Sequence, residues 1–200
     1  MLDPFYPVVP DVSWVKRLVP AGTRLIQLRI KDHPADEIGR QVREARDICV
    51  VHGAQLIVND YWQTAIDERC DYVHLGQEDL LDADIKALRR AGIRVGVSTH
   101  DHAELDKGLA VDPDYVALGP IWPTQLKQMP WAPQGTERLV EWKRLIGKRP
   151  LVAIGGLTLE RALVCLKSGA DIAAVVGDIV NHRDPEGQAK AWIAATRRKP

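Results

Sequence analysis

Short apolar runs alternate with amphipathic stretches along the whole chain, and glycine or aspartate marks most of the changeovers. The runs FYPVV (5–9), RLIQLRIK (24–31), QLIVN (55–59), YVHLG (72–76), RVGVST (94–99), YVALG (115–119), LVAIGG (151–156) and IAAVVG (172–177) read as strands, being short, apolar and rich in β-branched or aromatic residues. Between Ala35 and His52 the residues Ile38, Val42, Ala45 and Cys49 recur at helical spacing before Gly53, and Asp82 to Ala91 behaves similarly before Gly92. Further helices are predicted near 11–18, 61–69, 102–110, 136–146, 158–168 and 185–197. One crossover per strand predicts an α/β fold, a single-domain (β/α)8 barrel over residues 1–200 with its working face at the carboxyl ends of the strands. A doubly wound open sheet is the competing architecture, but it calls for a nucleotide-type glycine turn, and no GxGxxG occurs.

The second run refines this picture. Gln27, Arg29 and Lys31 share one face of it, while Leu28 and Ile30 share the other. In a barrel the outer face packs on helices and must be apolar, so the three polar side chains are expected to point inward. Cations taken out of water without partners cost several kcal/mol each, so Arg29 and Lys31 call for carboxylates or an anionic ligand at the mouth.

Composition then narrows the partners. Among the 200 residues, 27 basic side chains balance 27 acidic ones, which leaves no global field to draw the protein to nucleic acid or anionic lipid. No apolar segment approaches the roughly 20 residues that span a bilayer, and MLDPFYPVVP lacks the pattern of a secretory leader. Any anion site must be local, and a cytoplasmic protein is expected, with self-association into a homo-oligomer left open. Cys49, Cys70 and Cys165 are odd in number and widely spaced, the pattern of core thiols and not of a disulfide framework or a zinc site.

The strand ends carry the chemistry. They offer Lys31 and Asp32, Asn59 and Asp60, Gln77, Glu78 and Asp79, then Ser98, Thr99 and His100, with Gly155, Gly156, Gly177 and Asp178 after the last two strands. Cations and carboxylates on one rim fit either a self-satisfied salt-bridge cluster or a polyphosphate with a divalent ion. Asp60 and Asp79, at the tips of neighbouring strands, are the candidate ligands for Mg2+, which takes one or two carboxylates and keeps its remaining positions for water and phosphate. No cysteine or paired histidine supports a transition-metal site; His100 and His102 read as loop or cap residues, and His74 as a hydrogen-bonded interior histidine. Gly155, Gly156 and Gly177 lie where barrels cradle a phosphate on backbone N–H groups, with the Thr124 hydroxyl as a further donor. The segment 120–135, with four prolines, Trp122, Trp131, Gln125 and Lys127, is long enough to serve as a lid.

The pieces QLRIKD, IVND, HLGQEDL, GVSTH, DYVALGPIWPT followed by Lys127, and AIGGL, in this order at these strand ends, closely resemble the thiamin phosphate synthase family from about Tyr6 to Ile179. The resemblance implies a Mg2+-dependent transferase that joins 4-amino-2-methyl-5-hydroxymethylpyrimidine diphosphate to a thiazole phosphate, releasing pyrophosphate. It implies Gln27, Arg29, Lys31, Asn59, Ser98 and Lys127 on the pyrimidine diphosphate, with Arg29, Lys31, Lys127 and Ser98 carrying catalysis, and Asp60 and Asp79 on the metal. It implies Thr124, Gln125, Leu126, Gly156, Val176 and Gly177 on the thiazole phosphate. Two positions depart from the family pattern there: Leu126 stands where a second threonine is usual, and Gly177 where serine or threonine is common. A non-catalytic binder of thiamin precursors is the alternative that these departures suggest. A related branch, the thiazole tautomerases, places a histidine where this chain has Gly119 and Pro120.

Overall fold

Alternation within each strand sorts the side chains into two apolar cores. The computed structural model describes residues 1–124 and 131–197. Eight parallel strands, β1 (Phe5–Val9), β2 (Leu25–Leu28), β3 (Gln55–Asn59), β4 (Tyr72–Leu75), β5 (Arg94–Thr99), β6 (Tyr115–Leu118), β7 (Leu151–Ala153) and β8 (Ile172–Val175), pair in sequence order. β1 pairs with β8, so the barrel closes. Residues of one parity, among them Phe5, Leu28, Ile30, Val73, Val97 and Leu118, face the helices and form the larger core. The other parity, with Tyr6, Leu25, Ile57, Tyr72, Tyr115, Val152 and Ile172, fills the barrel itself. The expected outward Leu28 and Ile30 are therefore found as read, and Gln27 lies inward.

The helices are α1 (Val12–Leu18), α2 (Ala35–His52), α3 (Trp62–Asp67), α4 (Asp79–Asp82), α5 (Ile85–Arg90), α6 (His102–Ala110), α7 (Gly135–Ile146), α8 (Leu159–Lys167), α9 (Gly177–Val180) and α10 (Pro185–Thr196). Local chemistry fixes their starts. The carboxylates of Asp11, Asp84, Asp101 and Asp184 and the Thr158 hydroxyl each accept a first-turn backbone N–H, satisfying a donor the helix cannot. Gly53 ends α2 in the left-handed conformation, at φ 63°.

Two differences from the sequence reading have physical reasons. The helix expected over 82–91 is α5 and starts later, at Ile85, because Ala83 is extended and Asp84 caps a fresh start, while the short α4 precedes it. The runs read as strands at 24–31, 151–156 and 172–177 pair over fewer residues. In the first, Arg29 makes its last sheet bond to Val9 O at the end of β1, and the chain then leaves the barrel wall. The three cysteines are buried and unpaired, as expected, and burial pushes each thiol up to about 12.

Candidate active site

The carboxyl ends of β2 to β5 bring the predicted residues together at one mouth. Gln27, Asn59, His74 and Ser98 share the inward parity of four consecutive strands; the first three are buried and Ser98 is half-buried. Lys31, just beyond β2, reaches across to Asp60 beyond β3, with Nζ 2.6 Å from Oδ2. Asp60 stands at φ 64°, a left-handed conformation uncommon outside glycine that sets its carboxylate over the opening.

Asp79 opens α4 and turns back toward the barrel, its Oδ2 accepting from the Gly76 N–H at 3.0 Å. A Cβ on Gly76 would come within 2.9 Å of that oxygen, so a side chain there would crowd it out. Asp79 and Asp60 are in hydrogen-bond contact. Burial, the charge of Asp60 and that shared hydrogen bond push the Asp79 carboxyl above its usual range, against the pull of the Gly76 N–H and Lys31. Two carboxylates so close repel unless a proton or a cation lies between them. Their oxygens form a hard donor pair, and among the described residues no third acidic, histidine or cysteine side chain completes a cage. That is the donor set suited to Mg2+, which retains water and phosphate oxygens.

Arg29 is exposed at the mouth, and among the described residues its guanidinium pairs with no carboxylate. Its field nevertheless reaches the buried His74 ring, whose pKa falls to about 4, chiefly through burial and secondarily through Arg29, with Asp60 opposing. His74 is thus a neutral interior histidine, as read. Asn59 contributes a different signal: its Nδ2 is buried and, among the described residues, has no hydrogen-bond partner, a donor held at the floor of the mouth.

On the opposite side, the segment after β6 packs backbone against backbone on the segment after β7. Ile121 N–H donates to Ile154 O at 2.9 Å and Trp122 N–H to Gly155 O at 3.1 Å. Gly156, at φ 66°, leaves no room for a Cβ, which would meet Pro123 O at 2.5 Å. Arg161 lies over the Trp122 ring and donates to Gly156 O at 2.6 Å, fixing the turn. Thr124 closes the described part of this segment. Val176 and Gly177 open the short helix α9 after β8. Gln125, Leu126 and Lys127 lie outside the described residues. Beyond them Trp131 stacks on His100, with centroids 4.5 Å apart, and Gln134 donates to His100 O at 3.0 Å.

Some strand-end residues prove structural. Asp178 Oδ2 accepts from Trp192 Nε1 and Gln188 Nε2, both at 2.7 Å, so this carboxylate braces α10 and does not serve the mouth. Thr99 faces the outer core, donating to Ala117 O and accepting from Trp142 Nε1. Gln77 braces the Ser98 carbonyl from outside at 2.7 Å. Residues that the sequence reading passed over are Tyr6, Tyr115 and Gly96. The signal for the first two was their parity, two phenol-bearing residues in register with inward positions. For Gly96 it was a glycine inside a strand, the mark of a close approach.

A family model described as thiamine monophosphate synthase matches residues 6–179. A thiamine-phosphate synthase of Rhizobium etli is 58% identical over 195 residues, covering 98% of this chain and 96% of its own. A thiamine-phosphate synthase of Cronobacter sakazakii is 49% identical, covering 96% and 89% respectively. Among solved structures, a thiamine phosphate pyrophosphorylase from Pyrococcus furiosus superposes with a TM-score of 0.82 over 98% of this chain and 97% of its own; at 24% identity that likeness speaks for the fold.

Proposed function

The chain belongs to the thiamine monophosphate synthase family, and from that premise we propose that it condenses an aminopyrimidine methyl diphosphate with a thiazole phosphate at the mouth formed by β2 to β5 and the loops after β6 to β8. It is a thiamine-phosphate synthase by its likeness to full-length relatives that bear that name. The observation that carries the assignment of the site is the Lys31–Asp60–Asp79 cluster, where cation and paired carboxylates meet at an opening beside the exposed Arg29.

The C–O bond between the pyrimidine methylene and the diphosphate breaks, and pyrophosphate leaves with the electron pair. The ring-stabilised methylene cation is then captured by the lone pair of the thiazole nitrogen. Asp60 and Asp79 would hold Mg2+, which would supply charge neutralisation for the departing diphosphate. Arg29 and Lys31, with Lys127, stabilise negative charge that grows as the bond breaks, where stabilisation lowers the barrier. Asn59 Nδ2, a donor without a partner among the described residues, is suited to an acceptor on the pyrimidine diphosphate. Gln27 and Ser98 hold the pyrimidine, and Thr124, Gln125, Leu126, Gly156, Val176 and Gly177 receive the thiazole phosphate. The remaining contribution is alignment and exclusion of water from a reactive cation. A closed barrel with a packed interior beneath the mouth serves both ends, in a protein that we place in the cytoplasm.

The test is pyrophosphate release from the two substrates with and without Mg2+. Asp60→Ala should lower turnover by about 100-fold or more, the scale of losing a charge-stabilising group. Full activity in the presence of a chelator would refute the metal-assisted reading.

A further inference from the structure

Five side chains from five strands form one continuous hydrogen-bonded wire through the barrel interior. Gln27 Nε2 on β2 donates to Tyr6 Oη on β1 at 2.7 Å. The two phenols, Tyr6 on β1 and Tyr115 on β6, are 3.0 Å apart. Tyr115 Oη lies 2.7 Å from His74 Nδ1 on β4, and His74 Nε2 lies 2.7 Å from Ser98 Oγ on β5. Every member between the two ends is buried. The wire therefore begins and ends on the two residues that the proposed function sets against the pyrimidine ring.

Proton counting gives the wire a direction. Tyr6 accepts from the Gln27 amide, so its single proton must go to Tyr115. Tyr115 in turn gives its proton to His74 Nδ1. A neutral imidazole with an accepting Nδ1 carries its hydrogen on Nε2 and donates it to Ser98 Oγ. Ser98 then keeps its own O–H for whatever enters the mouth, and Gln27 keeps its amide oxygen. Reversing one link leaves two hydrogens facing each other, or a buried phenol proton without an acceptor, so the chain holds one direction throughout. Stacking of Tyr115 on His74, 12° from parallel, holds both rings in place.

We propose that Tyr6, Tyr115 and His74 are positioning residues that preset Gln27 as an acceptor and Ser98 as a donor toward the substrate, so that the site selects a pyrimidine with an exocyclic amino group over its oxo counterpart. An aminopyrimidine presents an N–H donor beside an unprotonated ring nitrogen, whereas the oxo form presents a carbonyl beside a ring N–H. A mouth with fixed polarity matches the first and opposes the second, and sites built on hydrogen bonding discriminate strongly against a ligand with the wrong pattern. This rests on the proposed placement of the pyrimidine between Gln27 and Ser98.

Two measurements test it. In ligand-free protein labelled with 15N-histidine, the His74 ring should carry its hydrogen on Nε2 with Nδ1 unprotonated; a hydrogen on Nδ1 would overturn the direction. With substrates, the ratio of kcat/KM for the amino over the oxo diphosphate should fall about tenfold or more in both Tyr6→Phe and Tyr115→Phe, each of which removes one oxygen from the wire. An unchanged ratio in both variants, with melting curves like the wild type, would overturn the selection. A wild-type protein that turns over neither diphosphate would sink the transferase reading, and the ring-hydrogen measurement would still decide the wire.

Discussion

Asp79 carries a cost that its side chain alone would not reveal. Its carboxyl is pushed up by burial and by Asp60, so ionising it at neutral pH works against folding in the absence of a neutralising cation. The folded state holds that proton more tightly than the unfolded chain, and stability from this group is lost as pH rises from the ordinary carboxylate range. Asp79→Asn should therefore raise the melting temperature of metal-free protein at neutral pH while lowering turnover by about 100-fold. Mg2+ should raise the melting temperature of the wild type and leave that of Asp79→Asn much less affected. Equal melting temperatures for the two proteins without metal would argue that the pair is not strained.

At the scale of elements, the interior is filled by trading volume between neighbouring strands. Gly96 on β5 faces inward, and a Cβ there would come within 2.1 Å of the Tyr115 ring on β6. That ring cannot step aside, because it stacks on His74, packs on Tyr72 and meets Tyr6 edge-on. Gly96→Ala should destabilise the barrel by about 1–3 kcal/mol, the range for overpacked cores, as read by denaturant unfolding. The same trade explains what sequence could and could not disclose. Strands and helices were readable because each carries its own period; Gln27 was readable as inward by parity, and Asn59 and Ser98 as residues at strand ends. The polar wire was not, because Tyr6 and Tyr115 lie 109 positions apart and each looks locally like an ordinary strand former. Ring contacts of that range are set by the closing of the barrel, which no local pattern encodes. The bracing role of Asp178 was hidden likewise, since its partner Trp192 lies on the last helix.

For the whole molecule, acid sensitivity should begin at the barrel interior. The folded pKa of His74 lies near 4, against 6.5 for the free side chain, so the unfolded chain binds more protons between those values. Stability contributed by neutral His74 is present above pH 6.5 and lost as pH falls toward 4, by on the order of 3 kcal/mol at most. Carboxylates held low by arginine and lysine partners, Glu37 and Glu44 among them, give way only below the ordinary carboxylate range. Melting temperature should thus decline between pH 6.5 and 4 in the wild type and stay nearly level there in His74→Gln. Identical profiles would assign that decline elsewhere.

The buried sulfur atoms have a practical corollary. With three thiols sealed among apolar side chains and held almost wholly protonated at neutral pH, the native protein offers maleimides and other soft electrophiles little to attack. A single cysteine introduced on an outer helix would then be the preferred point of conjugation. Dyes could be attached there without first stripping the wild-type sulfurs, and substrate binding could be followed by fluorescence in an otherwise unaltered chain.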